Sequence, residues 1–488
     1  MSQTIQQLQL DLANGKYTTS DIVKGYLERA KASLELNIYV ELFEEEALAT
    51  AQAQDAARQK GQRLGALAGV VISIKDVLCY TGHRVSAASK MLDSFVSPYT
   101  GTALQRLIDE DAIIIGRTNC DEFAMGSGNE NSHYGPTRNA ADPSRVPGGS
   151  SGGAAVSVQA GTCHMAVGSS TGGSVRQPAS FCGLYGFKPT YGRISRHGLI
   201  AYGSSFDQIG LIANHPEDIA LGIEIMAGPD EWDATAPDVK VPSLVGATGP
   251  KKARIAYFPG LMDGDKLDPA LSEAIEQAKD QYEAAGHEVS GVDFDLFDFV
   301  VPIYYVLTTA EASSNLSRYD GMRYGYRSPN GTDLDSTYKL SRTEGFGTEV
   351  QRRIMLGTFV LSSGYYDAYY SQAQRARRLI SNQLEAILAE YDFILMPVSP
   401  SLPWKIGEQV DDPVANYLAD VFTVLANLAG LPAVAIPSAP SPMRQLGSGP
   451  QLISRAGGEV KNLPTGHQLM GRKWDEAKLL GFVQRESN

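Results

Sequence analysis

Short and nearly unbroken apolar runs constrain the fold of this chain most strongly. The segments "GVVISIKDVLCY" (69–80) and "AIIIGRTN" (112–119) are rich in β-branched residues. Runs of this length and composition are typical of strands that are buried on both faces of a sheet. The segment "TALQRLIDEDA" between them has helical periodicity. The order strand, helix, strand predicts an α/β fold built on a buried sheet.

Further apolar runs extend this sheet along the chain. We predict strands in "CHMAVG", "KARIAYF", "HEVSGVDF", "DFILMPVSP" and "GLPAVAIP". Residues 1–60 have helical periodicity, and residues 300–391 are helical and rich in Tyr. Because predicted strands lie on both sides of residues 300–391, we interpret that segment as a helical insertion within one domain, 1–488. Gly126–Gly149 is predicted to be a long functional loop and Ser438–Gly449 a surface loop.

Charge and cysteine content exclude several classes of protein. The 488 residues carry a formal net charge of −13, so we do not expect the chain alone to hold nucleic acid over a broad face. We see no signal peptide and no run of about 18 apolar residues, which favours a cytoplasmic protein without a membrane span. The four cysteines form no CxxC pair and the seven histidines no HExxH motif, so no metal site is predicted.

Two clusters of Ser and Gly stand close together, "PGGSSGG" (147–153) and "GSSTGGS" (168–174). The first contains a G-x-S-x-G pattern, which would make Ser151 the nucleophile of an α/β-hydrolase, but it follows a loop rather than an evident strand. Neither cluster continues as a P-loop or a dinucleotide-binding motif. In the second cluster, the small residues let backbone N–H groups converge, and such a concave group of donors can hold an oxyanion.

Lys75 is the candidate base for a serine nucleophile. It lies inside a predicted buried strand, where a lysine is rare without a partner or a purpose. A salt bridge is the alternative interpretation, but the adjacent Asp76 is a poor partner because neighbouring strand residues point to opposite faces. Burial lowers the pKa of a lysine, so a neutral amine becomes available to activate a serine hydroxyl.

These motifs resemble the amidase signature family, which uses a Ser–Ser–Lys triad. The resemblance rests on "GVVISIKDV", "PGGSSGG" and "GSSTGGSVRQPASFCGLYGFKPTYGRIS". It implies that Ser174 is the nucleophile, Ser150 the bridging serine and Lys75 the base. It also implies an oxyanion hole formed by the backbone amides of Thr171, Gly172, Gly173 and Ser174. The fold that it implies is a single α/β/α domain around a large mixed sheet.

The second half of the chain resembles one branch of this family, the GatA subunits of glutamyl-tRNA(Gln) amidotransferases. The segments "EASSNLSRYDGMRYGYR", "EGFGTEVQRRIMLGTFVLSSGYYDAYY" and "DVFTVLANLAGLPA" carry this similarity. Glutamine is a zwitterion, so its pocket needs one cation and one anion. The resemblance implies that Arg353 and Asp420 supply them, with Tyr305 nearby and with Met125, Gly126 and Ser127 lining the site.

The resemblance also implies a reaction and an assembly. Glutamine is hydrolysed to glutamate and ammonia in a heterotrimer with GatB and GatC. The partner subunit binds misacylated tRNA and uses ATP and Mg to amidate Glu-tRNA(Gln), with Asp-tRNA(Asn) left open as a second substrate. No cofactor is expected in this chain itself.

Two alternatives remain open from the sequence. A stand-alone amidase would hydrolyse small aliphatic or aryl amides without partners. A catalytically silent scaffold is the other, because Ser170 stands where the family has Asp in "SDTGGS". A serine can still form local hydrogen bonds in this turn, so we expect activity to survive.

Overall fold

A computed structural model describes residues 3–262, 267–409, 413–438, 452–453, 459–460 and 463–487. Apart from Ser438, the predicted surface loop Ser438–Gly449 lies outside these ranges. No helix in the described ranges is long and apolar enough to cross a membrane.

A single large sheet organises the described chain. Its eleven strands run in the order β1-β3-β2-β4-β6-β5-β10-β13-β9-β7-β8, and β11 and β12 form a separate pair. The strands are β1 Tyr39–Leu42, β2 Val71–Lys75, β3 Ile113–Thr118, β4 Met165–Ser170, β5 Tyr185–Lys188, β6 Gln208–Ala213, β7 Arg254–Tyr257, β8 Glu288–Gly291, β9 Phe393–Pro397, β10 Ala433–Pro437, β11 Leu452–Ile453, β12 Glu459–Val460 and β13 Gly466–Met470.

The large sheet is mixed. Strands β2, β3 and β4 run parallel, as do β7, β8 and β9, and antiparallel pairs through β5, β6, β10 and β13 join the two parallel groups. Parallel strands need long crossover connections, and helices supply them. The predicted α/β fold with a central mixed sheet is therefore confirmed.

Helices flank the sheet throughout the described part of the chain. They are α1 Ile5–Ala13, α2 Thr19–Ala32, α3 Glu44–Gln59, α4 Thr102–Asp109, α5 Gly152–Gln159, α6 Arg176–Phe181, α7 Pro216–Met226, α8 Pro259–Met262, α9 Pro269–Ala284, α10 Val300–Asn315, α11 Leu334–Gly345, α12 Thr348–Val360, α13 Gln372–Glu390, α14 Pro413–Leu418, α15 Val424–Leu428 and α16 Glu476–Glu486. The first 60 residues also contain the edge strand β1, so this stretch is not wholly helical.

Alternation along β2 decides where Lys75 points. Ile72 and Ile74 belong to the hydrophobic cluster on one face of the sheet, whereas Val71 belongs to the cluster on the other face with residues of α5. Ser73 follows Val71 and lies 2.8 Å from Ser157 of α5, measured between the hydroxyl oxygens. Lys75 continues this series, so the strand directs its side chain to the α5 face.

Candidate active site

The side chain of Lys75 ends between two serines. Its Nζ lies 2.7 Å from Ser150 Oγ and 2.9 Å from Ser151 Oγ, and 3.4 Å from the carbonyl oxygen of Ser169. Lys75, Ser150 and Ser151 are all fully buried. The peptide bond between Gly149 and Ser150 is cis. The predicted base and the predicted bridging serine are therefore in direct contact.

Counting hydrogens shows how a neutral Lys75 is oriented. A neutral amine has two N–H donors and one lone pair. The Ser169 carbonyl can only accept, and Ser151 donates its own proton to that carbonyl at 3.1 Å, so Ser151 accepts from Lys75. Both Lys75 hydrogens are then used, and the lone pair is left for the Ser150 hydroxyl. This arrangement suits a lysine that takes a proton from Ser150.

Burial favours this neutral form. Loss of solvation lowers the pKa of Lys75 to about 8, and no carboxylate forms an ion pair with it among the described residues. Asp76, the adjacent residue, faces away and accepts hydrogen bonds from the backbone of Ser86 and Ala88. Its nearest cation is Arg117, with 3.6 Å between Nε and Oδ1.

Ser174 lies beside this pair, in the turn between β4 and α6. Its side chain is buried, and its carbonyl accepts a hydrogen bond from the Ser151 amide at 3.2 Å. No hydrogen bond joins the hydroxyls of Ser174 and Ser150 among the described contacts. The structure thus connects Ser174 to the Lys75–Ser150 pair through the backbone of the adjacent Ser151.

The turn before Ser174 presents unused backbone donors. The N–H groups of Thr171, Gly172, Gly173 and Ser174 have no acceptor among the hydrogen bonds of the described chain, although all four residues are buried. Buried N–H groups are nearly always paired, so an unpaired set of this kind is rare. It matches what an oxyanion requires, several fixed donors in a site that excludes bulk water.

Side chains around the turn hold its carbonyls in place. The Gly172 oxygen accepts from Arg176 NH2 at 2.7 Å and from Ser170 Oγ at 2.8 Å. The Thr171 hydroxyl donates to Asp207 at 2.6 Å. Arg176 also donates to the Thr423 carbonyl, so it ties the turn to the chain that follows α14. Ser170 therefore still forms a local bond in the position where the family has Asp.

Asp420 borders the turn and has a free oxygen. Its Oδ2 accepts from the Ser127 hydroxyl at 2.9 Å, whereas its Oδ1 is buried without a partner in the described chain. A β-carbon built on Gly173 would lie 2.4 Å from that Oδ1, so the carboxylate reaches the turn directly. Burial raises the pKa of Asp420 to about 6. An ammonium group would supply the missing donor.

Arg353 is held in an aromatic cage. Its guanidinium carbon lies 5.3 to 5.5 Å from the ring centres of Tyr202, Tyr305 and Tyr417. Its Nε donates to Glu349 at 2.8 Å and NH1 to the Tyr202 hydroxyl at 2.8 Å. The arginine is almost fully buried, and Coulombic attraction to it lowers the pKa of Asp420 against the effect of burial. The two predicted charges of the pocket therefore interact with one another.

Met125 and Gly126 form the wall beside Asp121. The Met125 carbonyl accepts from Asn131 at 3.2 Å, and a β-carbon on Gly126 would lie 2.4 Å from the Asp121 carboxyl carbon. Asp121 is fully buried and accepts the amides of Asn129 and Asn131. The predicted lining segment thus packs tightly against a buried acid that lies near Lys75.

Sequence reasoning assigned no supporting role to Ser151, Arg176, Asp207, Tyr202, Glu349 or Tyr417. Ser151 was considered only as an alternative nucleophile, yet it orients the amine of Lys75. The repeated Ser in "GGSSGG" and the Arg in "GGSVRQP" were visible signals for two of them. The others come from distant segments, and nothing local marks them. Among the described residues, no group of three or more His, Cys, Asp and Glu side chains could hold a metal ion.

The chain is similar to known proteins over nearly its whole length. The Amidase family model matches residues 21–480. The A subunit of glutamyl-tRNA(Gln) amidotransferase from Chlorobium phaeobacteroides is 45% identical over 481 residues, which is 98% of this chain and 97% of that protein.

Two crystal structures are similar as well. The A subunit of glutamyl-tRNA(Gln) amidotransferase from Thermotoga maritima is 38% identical with a TM-score of 0.70, covering 86% of this chain and 83% of that one. The peptide amidase of Stenotrophomonas maltophilia is 27% identical with a TM-score of 0.78, covering 99% and 97%. As its motifs predicted, this chain belongs to the amidase family.

Proposed function

We propose that this chain is the glutamine-hydrolysing subunit of a tRNA-dependent amidotransferase. The observation that carries the proposal is the combination of one buried lysine–serine pair, one turn with unused amides and two opposite charges around the same pocket. The triad supports amide hydrolysis. The two opposite charges of Asp420 and Arg353 support an amino-acid amide as the substrate, because a zwitterion needs both charges.

The first half of the reaction forms an acyl-enzyme. Lys75 accepts the proton of Ser150 while Ser150 accepts the proton of Ser174, whose side chain turns toward it when substrate is bound. Ser174 Oγ forms a bond to the amide carbon, and the carbonyl electrons move to the oxygen. The amides of Thr171–Ser174 stabilise this oxyanion. The C–N bond then breaks, and the proton stored on Lys75 returns through Ser150 to the leaving nitrogen.

The second half releases the product. Water gives a proton to the same relay and attacks the acyl carbon. The bond to Ser174 Oγ breaks, and the proton is returned to that oxygen as glutamate leaves. One glutamine and one water become one glutamate and one ammonia. The chain itself needs no cofactor for either half.

The proposal places ammonia use in a partner. We expect a cytoplasmic heterotrimer with GatB and GatC, in which the partner subunit binds misacylated tRNA and uses ATP and Mg. The 45% identity to a curated A subunit over 98% of this chain supports this assembly. Its acidic surface fits a protein that leaves tRNA to the partner.

A stand-alone amidase is the second candidate, and one observation favours it. The TM-score with the peptide amidase, 0.78, is higher than that with the Thermotoga maritima protein, 0.70. We give more weight to sequence identity, 38% against 27%, because both proteins share the fold and a fold alone does not determine a substrate.

The deciding experiment compares substrates in the presence of the partners. The chain is purified alone and with GatB and GatC, and ammonia release from glutamine is measured beside tRNA amidation. We expect glutamine-dependent amidation by the complex, and its loss in Ser174→Ala. Efficient hydrolysis of aryl or aliphatic amides by the chain alone, without amidation by the complex, would favour the stand-alone amidase.

A further inference from the structure

The outer face of α12 carries an unusual set of exposed residues. Met355 is 72% exposed, and Leu356, Phe359, Tyr365 and Tyr369 are between 42% and 46% exposed. We call these five residues the outer α12 surface. Single exposed apolar residues are normal in folded proteins, but contiguous groups mark interaction sites.

These five residues are contiguous. Met355, Leu356 and Phe359 share one helix face because they are separated by three and four positions. The Phe359 ring lies 4.4 Å from the Tyr365 ring and 5.9 Å from the Tyr369 ring, measured between centroids. The aromatic rings therefore continue the helix face across the turn that follows it.

The opposite face of α12 belongs to the candidate active site. Arg353 and Val350 are buried on that side. Gly357 lets α12 cross α10 closely, since a β-carbon there would lie 1.9 Å from the Thr309 carbonyl oxygen. Helix α10 carries Tyr305 of the arginine cage. The outer α12 surface is thus separated from the guanidinium of Arg353 by about one helix diameter, on the order of 10 Å.

The size of the surface suits a protein partner. Large side chains bury about 200 Å² each, so five that are about half exposed present on the order of 500 Å². A stable interface covers about 800 Å² on each partner, so this surface can supply most of its apolar centre. Met and aromatic residues are enriched at such centres.

Charge also distinguishes this surface from the rest of the chain. Residues 351–384 contain five arginines and one aspartate, whereas the whole chain has a net charge of −13. Arg375 and Arg378 are exposed on α13, the helix that follows Tyr369 in the chain. A partner with an apolar patch and an acidic rim would complement it.

A protein fits better than RNA. Two of the five residues are aliphatic and offer no ring for base stacking, and Phe359 and the two tyrosines pack on one another. Arg353 and Arg377 of the same stretch donate inward, to Glu349 and to the Leu428 carbonyl. Stacking platforms for nucleic acids need free aromatic faces with cations beside them.

We infer that the outer α12 surface is where the ammonia-using partner subunit docks. This inference rests on the proposed function, and it adds the location of the contact. Docking there places the partner against the helix that holds the substrate arginine.

The test uses purified GatB and GatC from the organism that encodes this chain. The variant Met355→Glu/Phe359→Glu places two acids in the centre of the surface. Leu34→Glu is the matched control, because Leu34 is 74% exposed on a turn in the N-terminal region. Glutaminase activity of the isolated chain and its thermal midpoint establish that each variant is folded. Met355→Ser/Phe359→Ser is a milder second variant.

We expect the paired acidic substitutions to weaken binding of GatB and GatC at least tenfold, with Leu34→Glu unchanged. Wild-type affinity in both Met355/Phe359 variants would overturn the inference, as would equal weakening by Leu34→Glu. If the variant loses tRNA binding but still binds GatB and GatC, the surface binds RNA instead of the partner subunit. If the wild-type chain is a homodimer and the variant is a monomer, the surface binds a second copy of this chain. If the wild-type chain binds neither GatB nor GatC, the proposed function itself fails.

Discussion

At the scale of single residues, the proposed mechanism depends on the protonation of Lys75. Burial lowers its pKa to about 8, and only the neutral amine has a lone pair to offer to Ser150. Because the folded-state pKa is depressed, the active form accumulates as pH rises through that value. At pH values below this pKa, Lys75 is protonated, so its amine has no lone pair to accept the proton of Ser150.

We therefore predict that kcat for glutamine rises about fivefold between pH 7 and pH 8 and levels off above pH 9. Asp420, whose pKa burial raises to about 6, adds a separate effect on KM. Below pH 6 it loses the charge that holds the substrate ammonium, so KM rises. Steady-state rates from pH 5 to 9.5 measure both parameters. A kcat that stays constant from pH 6 to 9 would contradict the role of Lys75.

Ser151 offers a finer test at the same scale. It accepts a hydrogen from Lys75 and donates its own to the Ser169 carbonyl, which fixes the direction of the lone pair. Ser151→Ala should reduce kcat by about tenfold, or ~1.4 kcal/mol, with little change in KM. Ser157→Ala is the control, because it removes another buried serine, within α5, whose hydroxyl contacts Ser73 instead of Lys75. An unchanged kcat in Ser151→Ala would show that the amine needs no such orientation.

At the scale of elements, α12 is fixed at its N-terminus by a buried acid. The Gly347 amide donates to Glu122 Oε2 at 2.9 Å, and the Ser89 hydroxyl donates to Oε1 at 2.5 Å. A carboxylate at this end also complements the helix dipole. Glu122 precedes the lining segment that begins at Met125. It therefore joins two parts of the pocket, the lining loop and the helix of Arg353.

Glu122→Gln should raise KM for glutamine by about five- to tenfold, or ~1 kcal/mol, while kcat changes little. Its effect reaches the substrate through Arg353, so hydrolysis of a simple amide without an α-carboxylate should be unaffected. Kinetics with both substrates separate this positioning role from a general loss of structure. Equal losses on the two substrates would contradict it.

Sequence alone predicted strands that are continuous apolar runs better than strands of mixed composition. Strands β2 and β3 were predicted from their apolar β-branched residues, whose burial on both faces leaves a clear pattern. Strands β1, β5, β6 and β13 were missed because "YVEL", "YGFK", "QIGLIA" and "GHQLM" mix apolar residues with glycine or polar residues, a composition that does not indicate a strand by itself. The predicted site residues came from contiguous motifs. Tyr202, Glu349 and Tyr417 could not be predicted, since their contacts with Arg353 form only in the folded chain.

At the scale of the whole molecule, the acidic charge bears on which subunit of the proposed complex would bind tRNA. A net charge of −13 repels phosphate backbones, and the five arginines of residues 351–384 are partly used inside the fold. We predict that the isolated chain shows no tRNA binding at physiological salt, whereas the complex with its partners binds. Fluorescence anisotropy with labelled tRNA measures this. If the isolated chain binds tRNA, and if that binding weakens steeply with salt, the prediction that the partner binds the tRNA is contradicted.

The most direct test of the central claim removes the amine of Lys75 and keeps its volume. In Lys75→Met, glutaminase turnover should fall by at least about a thousandfold, because Lys75 is the only side chain that contacts the Ser150 hydroxyl among the described hydrogen bonds. Lys188→Met is the control, since Lys188 is also a fully buried lysine but bonds only the Pro189 carbonyl among the described contacts. We expect the control to keep most of its activity and Lys75→Met to lose nearly all of it. Near-normal turnover of Lys75→Met would contradict the mechanism.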